Sequence, residues 1–139
     1  MDWKICAAED LRKYRRMKLG LINSRERLRL VRLGMRNLKN SLHKTYQRTD
    51  TEYVNMIVES ERIRTNIKIC ENLLSLIDRG LDSLTEEERG VLEEFYMKTS
   101  SPNIIELKDR LGYETRSLYR LRDTALEKFT ISMYGIENL

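Results

Sequence analysis

Apolar residues recur along the first half of the chain at alternating steps of three and four. One series reads Tyr14, Leu21, Leu28, Met35, and its companion reads Met17, Ser24, Val31, Leu38. Seven of these eight positions are apolar or aromatic, which predicts an amphipathic helix over about residues 7–38 with an a/d seam. A second pair of series follows: Tyr53, Ser60, Ile67, Leu74, Leu81 and Met56, Ile63, Cys70, Ile77, Leu84. Nine of these ten are apolar when Cys70 is counted as a small hydrophobe. Residues 39–52 lose the pattern and read as the connection between two antiparallel helices, with Asp50 or Thr51 as N-cap of the second. His43, in that polar stretch, reads as an exposed residue and not as a ligand or base. Two helices have little core of their own. The hairpin is therefore expected to lean on the rest of the chain or on a second copy.

The pattern then shortens. Thr85 with Glu88 three residues on is a capping box, and Glu86, Glu87 and Glu88 suit the positive end of a helix dipole. That helix continues through Val91, Leu92, Phe95 and Tyr96, and Lys98–Asn103, with Pro102, interrupts it. A short helix bears Ile104, Ile105, Leu107 and Leu111, and Gly112 follows as a turn glycine. Glu114 or Thr115 opens the last helix, whose apolar face is Leu118, Leu121, Ala125, Leu126 and Phe129, with Gly135 at its end. Three short helices with a glycine turn before the last describe a helix-turn-helix. The outer positions near the start of the last helix are Thr115, Arg116, Ser117, Tyr119, Arg120 and Asp123. An ordinary three-helix bundle with a solvated polar face fits the same spacing.

Composition narrows the class. One proline and six glycines in 139 residues exclude the many turns of an all-β fold. No apolar run approaches the roughly 20 residues of a membrane span. Met1–Cys6 lacks the apolar core of a signal peptide, and two cysteines suit a reducing cytoplasm. His43, Cys6 and Cys70 are too dispersed for a zinc site or a Cys-His nucleophile. No glycine-rich phosphate loop or nucleophile elbow occurs. Neither catalysis, metal nor cofactor is expected.

Charge is unevenly spread. Residues 1–48 hold 14 Lys/Arg against 4 Asp/Glu, whereas 49–84 hold 4 against 7 and 85–139 hold 8 against 11. The basic first third, with Arg12, Lys13, Arg15 and Arg16 off the seam, suits either a polyanion partner or a solvated face neutralised by the acidic segment after it.

The stretch Leu84–Leu92 resembles the opening of region 4 of bacterial sigma factors. Leu107–Tyr113 resembles that region's helix before the turn, and Leu118–Phe129 its recognition helix. The whole layout is similar to phage-encoded ArpU/RinA-type late transcription regulators. These pair a helical N-terminal region bearing a Leu-Arg-x-Tyr-Arg segment, here Leu11–Arg15, with a sigma-like helix-turn-helix. Tyr119-Arg120 and Tyr134-Gly135 match that pattern, while Glu106-Leu107 departs from the commoner Ile-Ala. The resemblance implies base-reading by Thr115, Arg116, Tyr119 and Arg120, and phosphate contacts by Lys108, Arg110, Ser117 and Arg122. For Arg122 an ion pair with a nearby carboxylate is the alternative.

The expectation is thus an all-α chain. Residues 1–84 form a long antiparallel, coiled-coil-like hairpin for packing or dimerisation, and residues 85–139 a sigma region 4-like DNA-binding domain. The expected function is sequence-specific binding of double-stranded DNA as a transcriptional regulator, an activator of phage late genes, as a homodimer in the cytoplasm of a bacterial host, without membrane association. The alternatives are a sigma-like factor whose main partner is host RNA polymerase and a helical adaptor without DNA specificity.

Overall fold

The computed structural model describes residues 1–40 and 46–137. Every regular element among them is helical. Helix α1 spans Trp3–Asn40, α2 Tyr46–Asp82, α3 Glu86–Leu92, α4 Ile104–Leu111 and α5 Thr115–Tyr134. A π-helical segment, Glu93–Met97, continues α3. The chain is all-α, with a long antiparallel hairpin followed by a helix-turn-helix.

Both long helices begin before their apolar periodicity does. The Asp2 carboxylate accepts from the backbone N–H of Lys4 (3.0 Å) and Ile5 (3.2 Å) and so caps α1. Helix α2 starts at Tyr46, so Asp50 and Thr51 lie inside it and do not cap it. Periodicity records where a helix is covered, not where it is hydrogen-bonded. Residues 46–52 contain no glycine or proline to stop the helix. Of the expected connection, residues 39–40 belong to α1 and 46–52 to α2, and residues 41–45, His43 among them, lie outside the described residues.

The helices fall into two compact units. One is Met17–Leu73, and the other joins Met1–Arg16 to Leu74–Leu139. In the first, α1 and α2 run antiparallel along the seam that the heptads predict. Leu21, Leu28, Ser60 and Ile63 are buried there. Cys70 Sγ donates to the Met17 carbonyl (3.5 Å), and Met56 packs on Gly34. The buried Ser60 hydroxyl is satisfied by the carbonyl of Ile57 (2.9 Å). The cross-helix pairs Arg27–Glu59 (3.2 Å) and Arg25–Glu71 (3.5 Å) are exposed, so the seam's apolar burial outweighs them.

The second unit has a fuller core. Ala7, Leu11 and Tyr14 of α1 meet it from one end of the sequence, and Ile77 and Leu81 of α2 from the middle. Val91, Leu92, Leu107, Leu118 and Phe129 complete it. Two tyrosine–carboxylate contacts fasten α1 here. Tyr14 donates to Asp78 (2.5 Å), and Tyr134 donates to Asp10 while its ring leans on Trp3 at 5.0 Å. Burial, followed by the Asp10 hydrogen bond, pushes the Tyr134 hydroxyl well above the usual phenol range.

Gly80 lies inside α2, in its last turn. A Cβ there would meet the Phe129 ring at 2.7 and 2.9 Å, so α2 and α5 touch through a position that has no side chain. Gly112 and Gly135 end α4 and α5 in the left-handed region, at φ 74 and 64. The capping box forms as the sequence predicts. Thr85 Oγ1 accepts from Glu88 N (3.2 Å) and Glu88 Oε1 accepts from Thr85 N (3.1 Å). Lys128 of α5 reaches the other Glu88 oxygen at 2.8 Å. Burial of Glu88 favours its neutral form, but the hydrogen bonds from Lys128 and Thr85 outweigh burial and hold its carboxyl below the usual range.

Gly80→Ala should destabilise the protein by about 1–3 kcal/mol through overpacking. Gly20→Ala, where a Cβ meets nothing within 4 Å, should stabilise it by up to about 1 kcal/mol. Urea denaturation of both variants measures the contrast. Because the folded Glu88 binds its proton less readily than the unfolded one, its contribution is present at neutral pH. That contribution is lost as the pH falls below the ordinary glutamate range near about 4.3. Glu88→Gln should therefore be less stable than wild type at pH 7, and the gap should close toward pH 3 in paired thermal melts.

Candidate nucleic-acid interface

The helix-turn-helix is built on three buried side chains, Val91, Leu107 and Leu118, one from each of α3, α4 and α5. Phe95, Ile104, Leu111, Tyr113 and Leu121 pack around them. Asn103 starts α4 by accepting from Glu106 N at 3.1 Å. Gly112 then turns the chain, and Tyr113 ties the turn to α3 by donating to Glu87 at 2.7 Å. That bond pushes the Tyr113 hydroxyl above its usual range. Glu114 occupies the N-cap position of α5 by backbone geometry, but its side chain makes no cap hydrogen bond. The first N–H groups of α5 therefore have no side-chain cap.

Leu118 faces the core, so the residues on either side of it turn outward. Thr115, Arg116, Ser117, Tyr119 and Arg120 are all exposed. Arg116 and Arg120 stand one turn apart on the same face. Neither has a hydrogen bond or ion pair among the described residues. Lys108 is half-buried on α4 and Arg110 exposed. The guanidinium of Arg110 lies over Gly90, and its charge helps to lower the Glu94 carboxyl.

Arg122 is differently placed. It pairs with Asp123 at 3.0 Å, which is the carboxylate alternative for this residue, and it stacks over Tyr119 (4.9 Å) and Phe95 (5.1 Å). The Phe95 and Tyr119 rings are themselves 5.7 Å apart. Phe95 also neighbours Tyr96 at 6.5 Å, and Arg12 of α1 lies 5.4 Å above the Tyr96 ring. A row of rings and cations thus links the start of α1 to the start of α5. Arg12, Lys13, Arg15 and Arg16 are all exposed and belong to the same unit as the helix-turn-helix. Sequence pattern does not reveal this link. It depends on the π-helical segment, whose extra residue per turn sets the directions of Phe95 and Tyr96.

Most of the Glu86–Glu94 carboxylates are engaged within the unit. Glu88 binds Lys128, Glu87 accepts from Tyr113, Glu93 pairs with Arg89, and Glu94 takes both Lys98 and the Asn103 N–H at 2.8 Å. Hydrogen bonds from Lys98 and then from the Asn103 backbone hold the Glu94 carboxyl below its usual range. Charge is divided between the units. Met17–Leu73 holds 12 Lys/Arg against 6 Asp/Glu, and the unit with the helix-turn-helix holds 14 against 16. Positive charge at the candidate interface is therefore local to α5 and to the start of α1.

Among the described residues no group of His, Cys, Asp and Glu is placed to hold a metal ion, and no helix is long and apolar enough to cross a membrane. In comparison with known proteins, no family model, no curated protein and no solved structure matches the chain.

The aromatic row gives a structural prediction. Phe95→Ala should expose the neighbouring core and lower stability by about 3–5 kcal/mol. Phe95→Leu keeps most of the volume but removes the ring. It should cost less and should free Arg122, which nuclear magnetic resonance of the guanidinium would register as increased mobility.

Proposed function

We propose that this protein is a sequence-specific double-stranded DNA-binding transcription regulator. One observation carries the reading: Arg116 and Arg120, exposed and without a partner among the described residues, stand on the first turns of the helix that follows the glycine turn. A second helix of this kind enters the major groove by its N-terminal residues. Arginine reads guanine there by a bidentate pair, and Thr115 and Tyr119 flank the two arginines. Lys108, Arg110 and Ser117 would contact phosphate, as would the uncapped N–H groups of α5. Arg122, held by Asp123 and two rings, acts mainly to fix Tyr119. Arg12, Lys13, Arg15 and Arg16 supply a phosphate contact flanking the groove.

The resemblance to ArpU/RinA-type regulators extends the proposal to a phage or prophage protein that activates late genes in the cytoplasm of its bacterial host. The reading calls on no catalysis and no cofactor. The engagement of most Glu86–Glu94 carboxylates within the unit weighs against that stretch as the docking surface for host RNA polymerase.

The primary experiment is a pull-down of fragmented phage and host DNA by the purified protein, with and without polymerase. Discrete enrichment by the protein alone is expected. Enrichment only with polymerase would replace this reading with a sigma-like one, and none under either condition would leave a helical adaptor. Once an operator is known, Arg116→Ala and Arg120→Ala should each lower discrimination by about 1–3 kcal/mol, measured against a mutated site. Neutralising Arg12, Lys13, Arg15 and Arg16 should leave sequence preference intact and flatten the salt dependence, by about 0.9 in log–log slope for each phosphate that is no longer neutralised.

A further inference from the structure

The hairpin unit carries more apolar surface than its seam uses. Within Met17–Leu73, α2 leaves Val54 (55%), Ile57 (38%), Val58 (53%) and Ile69 (61%) exposed. Val54 precedes the buried Ile63 by nine residues, which places it about 180° round the helix. These side chains therefore form a second stripe on the face away from α1. Helix α1 has its own outer stripe, Leu19, Ile22, Leu30 and Leu33, also exposed. Two-sided helices of this kind signal a contact that the single chain does not complete.

Charge decides which stripe meets what. In α1, residues 17–40 hold seven Lys/Arg against Glu26 alone, so two copies of that face repel each other. Helix α2 has the opposite property. Residues 50–61 contain Asp50, Glu52, Glu59 and Glu61 and no Lys or Arg, whereas residues 62–68 contain Arg62, Arg64 and Lys68 and no acid. Near the middle of this stretch Glu61 and Lys68 carry opposite charges, so a second copy laid antiparallel can pair each with the other.

We propose that the outer face of α2 is a symmetric, antiparallel contact between two copies of this chain. In the register that joins its apolar residues, Val58 lies against Ile69 of the second copy, and the reverse pair repeats across the two-fold axis. Glu61 then comes beside Lys68 of the second copy. Among the described residues the Glu61 carboxylate pairs with the exposed Arg64, at 3.2 Å, an exposed pair that it can exchange. Thr65 and Arg62 fall near the axis as a polar layer between the two apolar ones, which fixes the register as buried polar positions do in coiled coils. The seam that the heptads mark is fully used inside the hairpin, so this contact is distinct from it. It involves none of the residues assigned to DNA and stands or falls without that assignment.

Light scattering on the full chain without DNA tests it. The expected mass is twice 16.6 kDa at about 100 µM, where contacts of micromolar affinity are populated. Val58→Glu combined with Ile69→Glu should give the single-chain mass with unchanged helical circular dichroism. Ile22→Glu combined with Leu33→Glu, on the outer face of α1, should leave the dimer in place. Glu61→Lys should weaken the dimer at least about tenfold, and adding Lys68→Glu should restore it. A single-chain mass for the wild type overturns the proposal. So do a dimer indifferent to Val58 and Ile69, dissociation by the α1 variants, open-ended assembly, or failure of the charge exchange to rescue.

Discussion

Two antiparallel helices can bury only the stripe that each turns toward the other, and this limit shapes the rest of the molecule. Along Met17–Leu73 the shared seam buries Leu21, Leu28 and Ile63, with little else behind them. Among the described residues of that stretch, the outer faces of both helices stay exposed. Where α1 and α2 belong to the other unit, the problem is solved within the chain. Ala7, Leu11 and Tyr14 on one helix and Ile77 and Leu81 on the other become part of a core completed by α3, α4 and α5. The same geometric limit thus separates a unit with a full core from a unit whose remaining apolar stripes call for a partner.

The helix-turn-helix inherits its rigidity from that core. Val91, Leu107 and Leu118 set the three helices, and Gly80 allows α2 to sit directly on Phe129 behind them. On this base the charged side chains fall into two groups. Glu87, Glu88, Glu93 and Glu94 and their partners are tied into the unit by hydrogen bonds and ion pairs. Arg116 and Arg120 are left over. The unit as a whole is not basic, so any affinity for a polyanion arises from placement and not from bulk charge.

The fold is legible in the sequence because its main signals are long and redundant. Heptads over Tyr14–Leu38 and Tyr53–Leu84 report the seam, the Thr85–Glu88 box reports a helix start, and Gly112 reports the turn. The differences share one cause. Asp50 and Thr51 suggest a cap because apolar periodicity lapses before them, yet a helix without glycine or proline continues through polar sequence. Periodicity likewise does not report that Gly80 of α2 lies against α5. Exposure of Arg116 and Arg120 is implied by Leu118 facing inward. The stacking of Arg122 on Phe95 and Tyr119 is not, because a π-helical segment has no clear sequence signature. The outer stripe of α2 is present in the sequence as Val54, Val58 and Ile69, but the stronger seam masks it.

The unit that carries the helix-turn-helix is discontinuous: its first 16 residues and its last 66 are separated by the whole of Met17–Leu73. In effect the paired helices are an insertion between two halves of one folding unit. During synthesis that insertion emerges complete before α5 exists, and its contacts are between neighbouring segments, so it can form first. Its closure brings residue 16 back toward residue 74 and shortens the effective loop that the later core must close. Pairing of α1 with α2 is therefore what brings the two parts of the helix-turn-helix unit together along the chain.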